Sequence, residues 1–268
     1  MDLAFYKSII LGAVQGFTEF LPISSTAHLI LSSELMNLGS NEFIKNFIII
    51  IQFASILAVV VLYRKKIFRG WEYFKKLFVA CIPTGVLGLL AYRLVKNYLQ
   101  ESLNIIAFAL LIGGIIMIIL ERKYKQKKDE NKPKNELTRV DDIKDLSYKQ
   151  CLIIGVFQAL AMIPGVSRSA ATIIGGLSLG ISRSFIVEFS FLLAIPTMLA
   201  ASSLDLLQTG FNFSNNELIF LLLGCLISFI VAWFSIKFLL NFVRRHNFNA
   251  FAWYRIVLAI IILIVLYI

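Results

Sequence analysis

Two runs of polar residues embedded in apolar sequence limit what this chain can fold into. Residues 11–28 carry Gln15, Glu19, Pro22, Ser24, Ser25, Thr26 and His28. Residues 155–172 carry Gln158, Pro164, Ser167, Arg168, Ser169 and Thr172. The surroundings make these unusual. The 268 residues are 59% hydrophobic and 16% charged, against about 45–50% apolar and about 25% charged in a soluble domain. Such a chain is expected to be an all-α polytopic membrane protein. At membrane depth an ionisable side chain costs a few kcal/mol unless it meets an internal partner or a wet cavity. Glu19, His28 and Arg168 therefore read as functional.

Six stretches have the length of ordinary spans, close to the roughly 20 apolar residues a crossing needs: 46–63, 77–95, 103–120, 185–207, 217–237 and 249–268. The polar runs lie in two further segments, 3–31 and 150–180. Each has an apolar first half, a proline, a polar centre and an apolar second half. A re-entrant hairpin of two half-helices suits that pattern, because irregular backbone at membrane depth must be buried in protein or line water. The N-terminus lacks a cationic leader and a small-residue cleavage site, and is not expected to be a removable signal.

Charge sets the expected orientation. The net charge is +10, but the basic residues bunch between spans, as in cytoplasmic loops. No nucleic-acid partner is expected. Arg64, Lys65, Lys66, Arg69, Lys75 and Lys76 lie in 64–76, ten basic residues lie in 121–149, and Arg244 and Arg245 lie in 238–248. Loop 208–216 has none, and 96–102 has only Lys96. With the basic loops inside, both termini lie outside, the first hairpin enters from outside and the second from inside. The expected architecture is an inverted repeat: residues 1–120, a charged cytoplasmic connector 121–149, and residues 150–268. Gly12-x-x-Gln15 recurs as Gly155-x-x-Gln158, and Pro22-x-x-Ser25 as Pro164-x-x-Ser167. Broken helices in such repeats aim helix N-termini at an anion near the midplane.

Residues 164–172 read as a turn opening a helix. Its amides can face an anion, Ser167, Ser169 and Thr172 can cap or donate, and Arg168 offers a planar fork for phosphate oxygens. The bland alternative pairs Arg168 with a carboxylate or with headgroups. In the first hairpin, Gln15 and Glu19 share a helix face. Together they could hold a divalent cation through oxygen, or Glu19 could serve as a base. Glu19 could equally just neutralise Arg168. Ser24, Ser25 and Thr26 line the turn before His28, and a serine beside a His or Glu is the usual activated nucleophile. Cys81, Cys151 and Cys225 have neither disulfide nor zinc spacing, and read as packing residues. His246 reads as surface, Arg255 as snorkelling to cytoplasmic headgroups, and the aromatic excess as mainly lipid-facing. Gly12/Gly16, Gly113/Gly114 and Gly175/Gly176 are expected to allow close helix contact.

These residues resemble the signatures of the BacA-type undecaprenyl pyrophosphate phosphatases. One signature is Gln15-Gly-Phe-Thr-Glu19 followed by Pro22-Ile-Ser-Ser-Thr-Ala-His28; the other runs from Pro164 to Thr172. The ending Tyr254-Arg255-Ile256 also fits, so the likeness covers the whole chain. Ala27 and Ala170 stand where the family commonly has Gly, and Gln15 where it often has Glu. The resemblance implies removal of the terminal phosphate from undecaprenyl diphosphate, which recycles the lipid carrier for peptidoglycan synthesis and gives bacitracin tolerance. It implies a bacterial plasma-membrane enzyme opening to the outer face and using Mg2+ or Ca2+. On this reading Glu19, Ser25, His28 and Arg168 are catalytic, and Ser24, Thr26, Ser167, Ser169 and Thr172 bind phosphate. Glu19 and Gln15 hold the metal. The expected partners are the polyprenyl diphosphate and the bilayer, with a homodimer left open. The nucleophile stays open between Ser25, His28 and water. The main rival is a transporter of a phosphorylated lipid or anion.

Overall fold

The computed structural model describes the backbone of residues 4–39, 42–67, 70–94, 102–130, 140–209 and 213–267. Side chains are described for the same residues except 92–94, 125–130 and 204–209. Lys96, most side chains of the charged connector and much of loop 208–216 lie outside that set. Among the described residues the chain is helical, with no strand. The helices are α1 (Phe5–Thr18), α2 (Ser25–Leu35), α3 (Glu42–Ile67), α4 (Trp71–Leu94), α5 (Leu103–Glu130), α6 (Tyr148–Ala159), α7 (Arg168–Ser178), α8 (Arg183–Thr209), α9 (Asn215–Arg245) and α10 (Asn249–Tyr267).

Two length classes are evident. Stretches of α3, α4, α5, α8, α9 and α10 are long and apolar enough to cross a membrane. Each overlaps one expected span, and residues 95 and 268 at the ends of two of those spans lie outside the described residues; the chain is a polytopic helical membrane protein. By contrast α1, α2, α6 and α7 have 14, 11, 12 and 11 residues. At 1.5 Å per residue they cover about 16–21 Å, well short of the roughly 30 Å hydrocarbon core. They form two helical pairs, α1 on α2 and α6 on α7. The first pair breaks at 19–24, around Pro22. The second breaks at 163–167, after a 3-10 turn at Leu160–Met162.

Two compact units emerge. The first comprises Met1–Leu21, Ser25–Arg69 and Phe191–Leu239. Its core packs Leu11, Leu29, Ile44 and Ile51 with Phe43, Phe47 and Phe220. The Phe47 and Phe220 rings lie 4.9 Å apart, edge to face. Serines lace its helices through backbone carbonyls: Ser8 donates to Phe220 O, Ser228 to Ile51 O at 2.8 Å and Ser235 to Phe17 O at 2.8 Å. Such small polar residues replace the hydrophobic effect, which vanishes between helices in lipid. Gly12 permits a close approach, since a Cβ there would lie 2.6 Å from Gly224 O.

The second unit comprises Pro22–Ser24, Gly70–Ser190 and Leu240–Ile268. Here α6 packs on α4 and α7, and α5 on α10. Gly155 approaches Ala80 O so closely that a Cβ could not be accommodated. Gln158 Nε2 donates to Thr84 Oγ1 at 3.0 Å, and Thr84 donates to Gly155 O at 3.0 Å. Arg183 Nε donates to Glu121 Oε1 at 3.0 Å, and the same oxygen accepts from Phe248 N at 3.1 Å. The Arg183 guanidinium also stacks 4.4 Å from the Tyr124 ring centroid. Lys76 reaches out of α4 to cap the 3-10 turn Ile143–Asp145, donating to Ile143 O at 2.6 Å and Lys144 O at 3.1 Å.

Among the described residues the aromatic side chains are more often exposed than buried, but a substantial set is interior. Trp71 and Phe78 are exposed, but Phe20, Phe47, Phe189, Phe191, Phe220 and Phe248 are fully buried. They fill space between helices where small residues leave gaps. Cys151 is buried, Cys81 and Cys225 are half-buried, and all three are free. His246 is exposed and stacks on Phe242.

Glycine substitutions should separate contact from propensity. Gly12→Ala is expected to destabilise by about 1–3 kcal/mol through overpacking. Gly85→Ala, with nothing within 4 Å of the new Cβ, should be neutral or stabilising by up to about 1 kcal/mol. Thermal unfolding in detergent distinguishes the two.

Candidate functional site

In the first hairpin, α1 carries Gln15 one turn before Glu19, and the chain turns to bring Ser25 back beside the carboxylate. Gln15 Nε2 donates to Glu19 Oε2 at 2.9 Å, and Ser25 Oγ donates to the same oxygen at 2.8 Å. Gln15 Nε2 also reaches Ser55 Oγ on α3 at 3.4 Å, and Ser55 Oγ donates to Gln52 O at 2.7 Å. Gln15 is fully buried, while Glu19 is 7% exposed and Ser24 2%. Ser25 and His28 are half-buried, and Thr26 is exposed. His28 lies three residues beyond Ser25, on the same face of α2.

Gln15 Oε1 is buried with no hydrogen-bond partner. A hard, unsatisfied oxygen beside a carboxylate suits a cation such as Mg2+ or Ca2+. The donors at hand therefore fit the expected metal, although no cluster of three acidic, His or Cys side chains occurs among the described residues.

In the second hairpin Gly165 (φ 92°) and Ser167 (φ 71°) adopt left-handed backbone. Ser167 N-caps α7, its Oγ accepting from Ala170 N at 3.3 Å. Arg168 is then the first helical residue. Its Nη1 donates to Ser190 O at 2.8 Å and approaches Ser190 Oγ at 3.4 Å. Thr172 Oγ1 lies 2.6 Å from Ser190 Oγ, and also donates to Arg168 O and Ser169 O at 3.0 Å. Ser169 and Thr172 are fully buried. The arrangement fixes the guanidinium from one side of its fork.

The breaks share one register. Ser24 has φ 74° and directly precedes α2, as Ser167 with φ 71° precedes α7. Gln15 and Gln158 are both buried, donate Nε2 to a hydroxyl and keep Oε1 unpartnered. Gly12 and Gly155 each abut a backbone carbonyl of another helix. All three pairs are offset by 143 residues, from 12 to 155, 15 to 158 and 24 to 167. The proline match, offset by 142, is one residue out of this register. In consequence Ser25 and Arg168 occupy equivalent positions.

Arg255 overturns the snorkelling expectation. It is fully buried. Nε donates to Leu110 O at 3.4 Å, Nη1 to Pro22 O at 3.2 Å and Val166 O at 3.0 Å, and Nη2 to Ala109 O at 3.2 Å and Gly165 O at 3.1 Å. Both hairpin turns are thus held on one guanidinium. An arginine within a span points to function by default, and its long side chain can also reach an interface; here it turns inward to backbone carbonyls. Ser55 and Ser190 gave no signal, since a serine in an apolar helix is unremarkable.

The cap can be tested. Ser167→Ala loses the Oγ acceptor while keeping a Cβ in left-handed backbone, and should cost about 1–2 kcal/mol. Ser167→Gly relieves the backbone and should cost only a few tenths of a kcal/mol. Melting temperatures in detergent should rank wild type, Gly, then Ala.

Residues 8–261 match the family described as "Bacitracin resistance protein BacA". The chain is 46% identical over 263 residues to "Undecaprenyl-diphosphatase" of Wolinella succinogenes, covering 98% of each chain. It is 43% identical to the protein of that name from Bdellovibrio bacteriovorus, covering 99% of this chain and 97% of the relative. It is 42% identical to that from Aquifex aeolicus, covering 96% of each. With both signature turns, their helix starts and nearly the whole length accounted for, the chain belongs to the BacA family.

Proposed function

We propose that this protein is an undecaprenyl-diphosphate phosphatase, converting undecaprenyl diphosphate and water to undecaprenyl phosphate and inorganic phosphate. The observation that carries the reading is the Ser25 hydroxyl hydrogen-bonded to the largely buried Glu19 carboxylate at 2.8 Å, with Gln15 orienting that carboxylate. The substrate follows from relatives named "Undecaprenyl-diphosphatase" at 42–46% identity.

In the proposed reaction Glu19 takes the Ser25 proton, and Oγ attacks the terminal phosphorus in line. The bond to the bridging oxygen breaks and undecaprenyl phosphate leaves. Water then attacks the phosphoserine, giving up a proton to His28, while the departing Ser25 Oγ takes back the proton held by Glu19, so that free Ser25 is restored and phosphate is released. Arg168, beside the N-terminal amides of α7, binds the non-reacting oxygens, because such transfer depends mainly on positioning and charge stabilisation. Ser190, Ser167 and Thr172 support this by holding the guanidinium and the start of its helix; Ser169 and the turn hydroxyls of Ser24 and Thr26 complete the phosphate-binding set. When bound, a divalent cation held by Gln15 and Glu19 would neutralise diphosphate charge.

The proposed setting is the plasma membrane, with basic loops inside and the diphosphate site open to the outer face. An inverted repeat accounts for the common register of the two breaks. Recycling of the carrier lipid for peptidoglycan and bacitracin tolerance follow from the activity.

The test is phosphate release from a soluble short-chain prenyl diphosphate in detergent, where no compartments exist for transport. Ser25→Ala, Glu19→Gln and Arg168→Ala should each lower kcat/KM by roughly a thousandfold or more while melting near wild type. Chelation should suppress release and Mg2+ restore it. Binding without release by the wild type would favour a transporter, and a fully active Ser25→Ala would remove the nucleophile assignment.

A further inference from the structure

We propose that Arg255 is a positioning residue for the diphosphatase reaction, a role that rests on the function proposed above: its guanidinium sets the two turns that lead into Ser25 and Arg168. A guanidinium has five N–H donors, and all five are committed to the carbonyls of Pro22, Ala109, Leu110, Gly165 and Val166. Saturated in this way, Arg255 has no donor left for substrate. Among the described residues no carboxylate pairs with it, so its charge is balanced by carbonyl dipoles alone.

The seat for this group is built into α5. Within a helix the carbonyls of Ala109 and Leu110 point toward residues 113 and 114, and both are glycine. A Cβ on Gly113 would overlap Arg255 Nη2, and one on Gly114 would lie 2.8 Å from Ala252 O. The two glycines expose the helix carbonyls and let α10 approach. The remaining acceptors belong to the turns. Pro22 O is three residues before Ser25, and Gly165 O and Val166 O lie two or three residues before Arg168. These carbonyls lie at the breaks between helices, and each accepts from the guanidinium.

Geometry at such a site matters steeply: a misplacement of about 1 Å can cost on the order of a hundredfold in rate. Lysine offers three donors from one point, and cannot replace a fork that reaches two turns and a helix.

The experiment measures kcat and KM on the short-chain diphosphate for wild type, Arg255→Lys, Arg255→Met and Gly113→Ala, alongside melting temperatures. Gly113→Ala displaces the guanidinium without changing its chemistry. Arg183→Met, which breaks a buried pair remote in sequence from both turns, serves as the stability control. The expected result is a kcat loss of roughly tenfold for Arg255→Lys and Gly113→Ala and roughly a hundredfold for Arg255→Met, with KM within about threefold of wild type. Arg183→Met should melt lower yet keep kcat. Arg255 variants that fold and keep kcat within about twofold of wild type, or that lose activity only as far as equally destabilised Arg183→Met, overturn the proposal and leave the phosphatase reading intact. Failure of all three to fold makes Arg255 purely structural and likewise overturns it. No release by the wild type overturns both.

Discussion

A helix broken at membrane depth exposes backbone carbonyls that lipid cannot satisfy, so they need partners within the protein or a wet cavity. This chain breaks two helices, around Pro22 and around Gly165, and a single buried guanidinium from α10 answers carbonyls at both breaks. The irregular backbone can therefore persist as a defined conformation. That definition has consequences for chemistry, since each turn ends in a left-handed serine and launches a helix. The residue at each helix start is aimed by backbone geometry, before any side-chain contact is made.

The common register of the breaks makes the difference between them informative. At the first helical position one break carries Ser25 and the other Arg168. Their equivalents one turn or more upstream stay alike: glycine against a carbonyl at 12 and 155, and glutamine on a hydroxyl at 15 and 158. The residues that shape the breaks recur, and those at the helix starts differ. Glu19 sharpens the contrast, because its counterpart at the same offset, residue 162, is a methionine. One break thus gathers a hydroxyl and a carboxylate, the pair a nucleophile needs. The other gathers a cation, three nearby hydroxyls and a helix N-terminus, the set an anion needs.

Much of this was legible from residue order. Span positions follow from apolar length, and the breaks follow from Pro22 and Pro164 beside hydroxyls, because proline removes a donor and clashes with the preceding turn. Glu19, His28 and Arg168 stand out because an ionisable group in apolar sequence is costly, and Ser25 because it is a hydroxyl between Glu19 and His28. What stayed hidden depends on which helices are neighbours. Ser190 braces Arg168 across 22 residues and Ser55 meets Gln15 across 40, and a serine in an apolar helix carries no mark of its partner. Arg255 was misplaced for a related reason. Its depth could be judged from sequence, but its acceptors are backbone carbonyls up to 233 residues away, which no side-chain pattern encodes. The proline repeat misled by one residue, since the backbone aligns left-handed serines, not prolines.

The proposed covalent bond from Ser25 to phosphorus is tested most directly by the stereochemical course of the reaction. A prenyl diphosphate with a chiral, isotopically labelled terminal thiophosphate can be hydrolysed in isotopically labelled water and the configuration of the released thiophosphate read out. Transfer through phosphoserine involves two in-line displacements, each inverting the centre, so net retention is predicted. Net inversion would mean that water attacks the substrate directly, and would contradict the role given to Ser25.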